Sequence, residues 1–179
     1  MRRPLIFTVW VLIGVGIDQL SKWLVFGQLP TNESFQIIPG ILQFTHATNT
    51  GVAFSLLKGF PTLILCISTI ATILIVGIYK STWRTAPPLV IAALGLLLIG
   101  AIGNLIDRVF LHAVRDFIDF VPQIPIFERR WAIFNIADAC ITTGVFFYLM
   151  SELTFKGGAK QLYQRAAAPQ PDRDANAKS

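Results

Sequence analysis

The sequence predicts an α-helical integral membrane protein of four spans with a small strand-containing outer cap, and three observations carry that prediction. Of the 179 residues, 54% are hydrophobic and only 14% are charged, and the mean hydropathy of +0.61 is too high for a soluble domain of this size. Four segments reach the roughly 20 predominantly apolar residues that a bilayer crossing needs. The few polar residues inside those segments gather near one end of the predicted bundle.

The first span is expected over Pro4–Phe26, the second over Phe60–Tyr79, the third over Ala86–Ile106 and the fourth over Trp131–Ser151. Met1-Arg2-Arg3 and the apolar run from Leu5 to Ile17 imitate a secretory signal peptide. The run ends, however, in Asp18-Gln19-Leu20-Ser21-Lys22 rather than a small-x-small cleavage site, and apolar character resumes through Trp23 to Phe26, so an uncleaved span is expected. Spans two and three carry no charge within these bounds.

Orientation follows from flanking basic residues. Arg2 and Arg3 precede the first span, Lys80 and Arg84 separate the second from the third, and Lys156, Lys160 and Arg165 follow the fourth, so these regions are expected in the cytoplasm with both termini. Arg108, Arg115, Arg129 and Arg130 fall on the other side, against the rule. The net charge of +5 is therefore read as topology, not as a nucleic-acid footprint. Cys66 and Cys140 sit in apolar runs without ligand-like spacing, which argues for packing over disulfide or zinc chemistry.

Between the first two spans, residues 31–57 read as a cap, because Pro39-Gly40 and Asn49-Thr50-Gly51 punctuate the short runs Phe35–Ile38 and Ile41–Thr45. Residues 1–155 are expected to form a single membrane-embedded domain. Residues 156–179, small, polar and proline-containing after Gly157-Gly158, are expected to be a disordered cytoplasmic tail.

The polar residues then fall into place. Asp18 and Lys22 are four apart on one helix face, with the carboxylate preceding the cation. Gly100, Gly103, Asn104, Asp107 and Arg108 form one stripe, whose glycines admit a neighbouring backbone. Asn135 and Asp138 point the same way from the start of span four. Charges in hydrocarbon cost several kcal/mol unless paired or facing a cavity, and glue between helices has no reason to avoid the inner leaflet. Convergence at one depth therefore favours a shared polar site. In Val114–Phe120, an extended chain puts Asp116 on the face with Val114, Ile118 and Phe120, and Asp119 on the face with Arg115 and Phe117, so Asp116 is the acid expected at the site.

Two poorly hydrated acids close together raise the proton affinity of one of them. Sharing a proton, they can activate water and polarise a carbonyl at once. Asp116 and Asp138 are the candidates, with Asn49, Asn104, Asn135 and Arg108 as donors that orient acids or substrate. Asp107, with Arg108 beside it and Lys22 at similar depth, reads as a structural ion-pair member. Ser21 and Lys22 are adjacent on a helix and point apart, which disfavours a Ser/Lys dyad. His46 and His112 are too few for a metal site, and no cofactor is indicated. A proton-coupled transporter is the main rival, but it needs polar residues across both leaflets. A non-catalytic assembly protein is the second.

Five motifs in order resemble a known family. Asp18–Lys22 looks like D-Q-x-x-K, Asn49–Phe54 like N-x-G-x-A-F, Gly103–Arg108 like G-N-x-x-D-R, Val114–Phe117 like V-x-D-F and Phe134–Asp138 like F-N-x-A-D. On these residues the chain resembles the bacterial lipoprotein signal peptidases, the type II signal peptidases, which are intramembrane aspartic proteases. The resemblance implies catalytic Asp116 and Asp138, with Asp18, Lys22, Asn49, Gly103, Asn104, Asp107, Arg108, Asn135 and Ala137 shaping or supporting the site. It also implies an extracytoplasmic β-cradle above the site and a multi-pass protein of the bacterial inner membrane with the site near the outer leaflet. The implied activity is that of a monomer cleaving diacylglyceryl-modified prolipoproteins just before the modified cysteine. Ile99 and Val52 stand where the family often has glycine and alanine, and the Pro122–Arg130 connector is longer than the family suggests. An outer segment containing Phe54 or residues 119–130 is expected to close over the acids.

Overall fold

The computed structural model describes residues 2–51, 59–124 and 129–167. Val52, Phe54 and the middle of the 122–130 connector lie outside that set, as do residues 168–179. The chain runs α1 (Arg2–Gln28), β1 (Ser34–Ile38), β2 (Leu42–Asn49), α2 (Pro61–Thr82), α3 (Pro88–Leu111), β3 (Val114–Phe120), β4 (Gln123–Ile124), β5 (Arg129–Arg130) and α4 (Ile136–Ala167). Four helices are long and apolar enough to cross a membrane, the fourth through its Ile136–Thr154 stretch. Their outward side chains include Leu5, Leu12, Ile70, Ile73 and Phe146, all exposed, as lipid-facing residues must be when the solvent is hydrocarbon.

Proline sets two of the helix starts. Pro61 and Pro88 each occupy a first-turn position, where the missing N–H costs nothing and the fixed φ already suits a helix. The third helix runs past its expected end at Ile106 to Leu111, where His112 takes a left-handed conformation (φ 56°) and donates its N–H to the Arg108 carbonyl. Asp107 and Arg108 thus lie inside helical structure.

The fourth helix differs from expectation at both ends. The apolar run Trp131–Phe134 suits a strand as well as a helix, and here Phe134 bridges Ile118 in an antiparallel pair, its carbonyl accepting from the Phe117 and Ile118 N–H groups at 3.0 and 2.8 Å. With its backbone committed to β3, the chain stays non-helical through Asn135, and the helix starts at Ile136 rather than Trp131. At the other end, the helix continues past Ser151 to Ala167, so the first part of the tail expected to be disordered is helical. The good helix formers of Ala159–Ala167, rich in Ala, Gln, Leu, Lys and Arg, outweigh Gly157-Gly158.

Helix α3 is the centre of the bundle and packs on each of the other three. Phe7, Val11, Val15, Leu98 and Ile99 form the apolar core of the half remote from the sheet, where Phe7 stacks on Tyr79 with ring centroids 3.7 Å apart. Ile99 is accommodated because it lies directly over Gly14, whose missing side chain leaves it room. Gly100 faces the Ala137 carbonyl so closely that a Cβ there would collide with α4 backbone. Gly100→Ala is accordingly expected to lower unfolding stability by about 1–3 kcal/mol, whereas Gly77→Ala, which meets nothing within 4 Å, is expected to be neutral or mildly stabilising. Denaturant titration in micelles checks both.

The strands form an antiparallel sheet in the order β1-β2-β3, with a separate β4-β5 pair. Gly40, at φ 70°, makes the turn between β1 and β2. Asn49 pairs with Val114 and Ala47 with Asp116, and a bulge between Phe44 and Ala47 then shifts the register so that Phe44 meets Ile118. Alternation in β3 holds around this bulge: Asp116 turns to Asn135, and Asp119 turns to the Gln43 amide and Thr45 hydroxyl at 2.7 and 2.8 Å. Both of these acids are buried.

Candidate active site

The polar ends of α1, α3 and α4 meet under β3, and their side chains form one continuous network. Lys22, with no exposed surface, is its hub. Its ammonium lies 2.9 Å from Asp18 and 3.4 Å from Asp107 and donates to Asn104 Oδ1 at 3.0 Å. The i,i+4 spacing read from the sequence produces the first of these pairs. Asp18 uses its other oxygen to accept the Ala137 N–H at 2.9 Å, which satisfies one of the unpaired donors at the start of α4. Gly103 makes this approach possible, since a Cβ there would stand 2.6 Å from Asp18 Oδ2 and 3.2 Å from Ala137 Cβ.

Asn135 and Asp138 cap α4 reciprocally. The Asp138 N–H donates to Asn135 Oδ1 at 2.9 Å, and the Asn135 N–H donates to Asp138 Oδ2 at 3.2 Å, an arrangement that fixes both side chains by the same bonds that start the helix. The Asn135 amide then donates to Asp116 Oδ1 at 2.7 Å, and it also approaches Asn104 Oδ1 and the Arg115 carbonyl at 3.2 Å each. Asn104 donates to Asp138 Oδ1 at 2.7 Å. Asp116 from β3 and Asp138 from α4 are therefore each held by an asparagine, and the two asparagines touch each other.

Burial and the neighbouring Asp138 charge push the Asp116 carboxyl up to about 7, although donors from Asn135 and Asn49 and the charge of Lys22 pull the other way. Desolvation dominates because Asp116 is only 3% exposed. Asn49, at the end of β2, is further fixed by accepting the Gly51 N–H at 3.0 Å. A cleft of about 110 Å³ is lined by residues that include Asn49, Gly51, Pro61, Leu65, Arg108 and His112, and of these Asn49 and Arg108 also interact with the acids. Among the described residues, no three His, Cys, Asp or Glu side chains group as a metal ion would require.

One sequence expectation holds in part. Asp107 is an ion-pair member and Lys22 lies 3.4 Å from it, but its second cation is Arg115, whose Nη2 lies 2.7 Å from Asp107 Oδ1, and not the adjacent Arg108. Neighbouring residues on a helix diverge by about 100°, so Arg108 turns away, donates to the Asn104 carbonyl at 3.4 Å and directs its charge toward Asp138 and Asp116. Sequence reasoning missed two members of the network. Gln19 donates to the Gly103 carbonyl at 2.9 Å and to Asp107 at 3.2 Å, and Arg115 donates to Gln19 Oε1 at 2.9 Å. The signal that could have found Arg115 was its departure from the expected charge rule: an arginine outside the regions expected to be cytoplasmic, close in sequence to an intramembrane acid that needed a partner.

Known proteins resemble the chain in sequence and in structure. The lipoprotein signal peptidase of Symbiobacterium thermophilum is 34% identical over 139 residues, covering 76% of this chain and 87% of that protein. That of Shouchella clausii is 39% identical over 142 residues, covering 79% and 89%. Two solved bacterial membrane enzymes, both determined by the in meso method, superpose with TM-scores of 0.76 and 0.71 at 32% and 33% identity. The alignments cover 85% and 82% of this chain and 90% and 92% of those structures. Residues 10–154 match the signal peptidase (SPase) II family, and with these relatives along most of its length the chain belongs to that family.

Proposed function

We propose that this protein removes the signal peptide from prolipoproteins by aspartic-protease chemistry, with Asp116 and Asp138 as the catalytic pair, and that it cuts immediately before the diacylglyceryl-modified cysteine. The observation that carries the reading is a pair of acids on separate elements, Asp116 buried and Asp138 half-buried, each oriented by an asparagine, with the proton affinity of Asp116 brought near neutrality. The pair shares one proton, and in the proposed cycle Asp116 carries it when water attacks. Asp138 removes a proton from water as the water oxygen attacks the scissile carbonyl carbon, and Asp116 gives its proton to the carbonyl oxygen. The tetrahedral intermediate collapses as the cysteine nitrogen takes a proton from Asp138 and the peptide C–N bond breaks. The returned hydroxyl proton restores Asp116.

The substrate class follows from location. A diacylglyceryl group confines its peptide to the membrane, since each buried methylene contributes about 0.8 kcal/mol, and a site at the polar end of the bundle meets it by lateral diffusion. The proposed topology places that end at the outer leaflet of the bacterial inner membrane, with both termini in the cytoplasm and the enzyme working as a monomer. Purified full-length protein is to be incubated with a diacylglyceryl-modified prolipoprotein and with its unmodified form. Cleavage of the modified form alone, leaving the modified cysteine as the new N-terminus, is expected. Processing of neither, or of both at equal rates, would overturn the proposal.

A further inference from the structure

We infer that Arg115 is a positioning residue for the proposed catalytic pair, an inference that rests on the Asp116–Asp138 reading. Three anchors hold this one residue. Its guanidinium binds Asp107 through Nη2 at 2.7 Å and Nε at 3.3 Å and reaches Gln19 at 2.9 Å. Its N–H donates to Asp107 Oδ2 at 3.0 Å. Its carbonyl accepts from Asn135 Nδ2 at 3.2 Å, the same amide group that donates to Asp116. The peptide unit leading into Asp116 is thus tied to α1, α3 and the start of α4 together. A bidentate guanidinium suits this task because its fork is planar and rigid.

Arg115 also balances charge. Asp18, Lys22, Asp107 and Arg115 are two acids and two cations within one network. With Arg115 on Asp107, Lys22 remains available to Asp18 and Asn104. Without it, Asp107 draws Lys22 toward itself, and the Asn104 amide that orients Asp138 loses one of the two donors on its oxygen and keeps only Asn135. The charged groups that act on Asp116 are Asp138 from α4, Lys22 from α1 and Arg108 from α3, while β2 contributes the neutral Asn49. Weakening the pull of Lys22 raises the proton affinity of Asp116.

The test compares Arg115→Met and Arg115→Lys with the unaltered full-length protein in micelles. Arg115→Met is expected to lower kcat about 10–100-fold, the scale of a small misplacement of reacting groups, while KM stays within about 3-fold. The alkaline limb of the kcat/KM profile should move to higher pH, and Arg115→Lys should restore part of both. Infrared titration of the Asp116 carboxyl band, identified by its loss in Asp116→Asn, reads the same shift without substrate. Failure of the cleavage assignment is therefore distinguishable from failure of this inference. Activity lost only in proportion to folded protein, with the carboxyl midpoint unmoved, would overturn it. Should Arg115→Met not fold, Arg115→Lys decides: an unchanged midpoint and kcat in that variant would overturn the inference equally.

Discussion

Asp116→Asn and Asp138→Asn, made separately, should each reduce prolipoprotein cleavage by about 10⁴-fold, the scale on which loss of one member of a catalytic unit is felt, with normal insertion into the membrane. The two substitutions are nearly isosteric: Asp116→Asn leaves an oxygen to accept from Asn135, and Asp138→Asn keeps an acceptor for one of its two donors, Asn104 or the Asn135 N–H, so most of the network survives while the proton chemistry does not. For Asp116 the stability effect runs opposite to the activity effect. Its folded-state affinity for a proton, near 7, lies above the ordinary value of 3.8, so its contribution favours folding most below that ordinary value and is lost as pH rises toward and through 7. Asp116→Asn removes this loss. The variant is expected to be more stable than the unaltered protein at pH 8, with the difference closing as pH falls to 4, and unfolding titrations at the two pH values check it. The same proton sets the activity profile, because cleavage needs Asp116 protonated and should decline above about pH 7. A variant that still cleaves would dismiss the dyad, and one less stable at pH 8 would dismiss the account of its burial.

Much of this arrangement is legible in the sequence, because bilayer physics leaves few options. Uninterrupted apolar length dictates the helices, and the cost of a charge in hydrocarbon makes Asp18, Lys22 and Asp138 conspicuous. Period-two alternation separates Asp116 from Asp119, and it is Asp116 that meets Asn135 at the start of α4. What sequence could not supply was pairing across elements. Asp107 has two cations near it in sequence, and only the fold reveals that Arg108 points away while Arg115, beyond the end of the helix, folds back. Phe134 belongs to an apolar run that reads as helix, and its extended backbone comes from pairing with Ile118 on β3. The polar cluster at one end, opposed to the apolar packing around Phe7, Val11 and Leu98 at the other, also fits a localised site better than the ion path considered from sequence.

Lys22→Met should be the most damaging single change to stability. The ammonium is fully buried between two carboxylates and an amide oxygen, and removal of one partner from a buried ion pair costs about 3–5 kcal/mol because the other charge is left unpaired. Asp107 keeps Arg115, so the stranded charge is that of Asp18. Neutralising it should therefore recover stability: in Lys22→Met with Asp18→Asn, the asparagine oxygen still accepts the Ala137 N–H that Asp18 accepts now, and no unpaired charge remains. Activity should not recover with it. Without the ammonium, Asn104 Oδ1 is held only by Asn135, Asp138 is less firmly oriented, and Asp116 loses a cation that lowers its proton affinity. Unfolding in micelles and cleavage of a modified prolipoprotein, measured on the single and double variants, separate the two roles. If the single variant unfolds at the same denaturant concentration as the unaltered protein, Lys22 does not hold the bundle together. If the double variant cleaves at the unaltered rate, Lys22 serves stability alone.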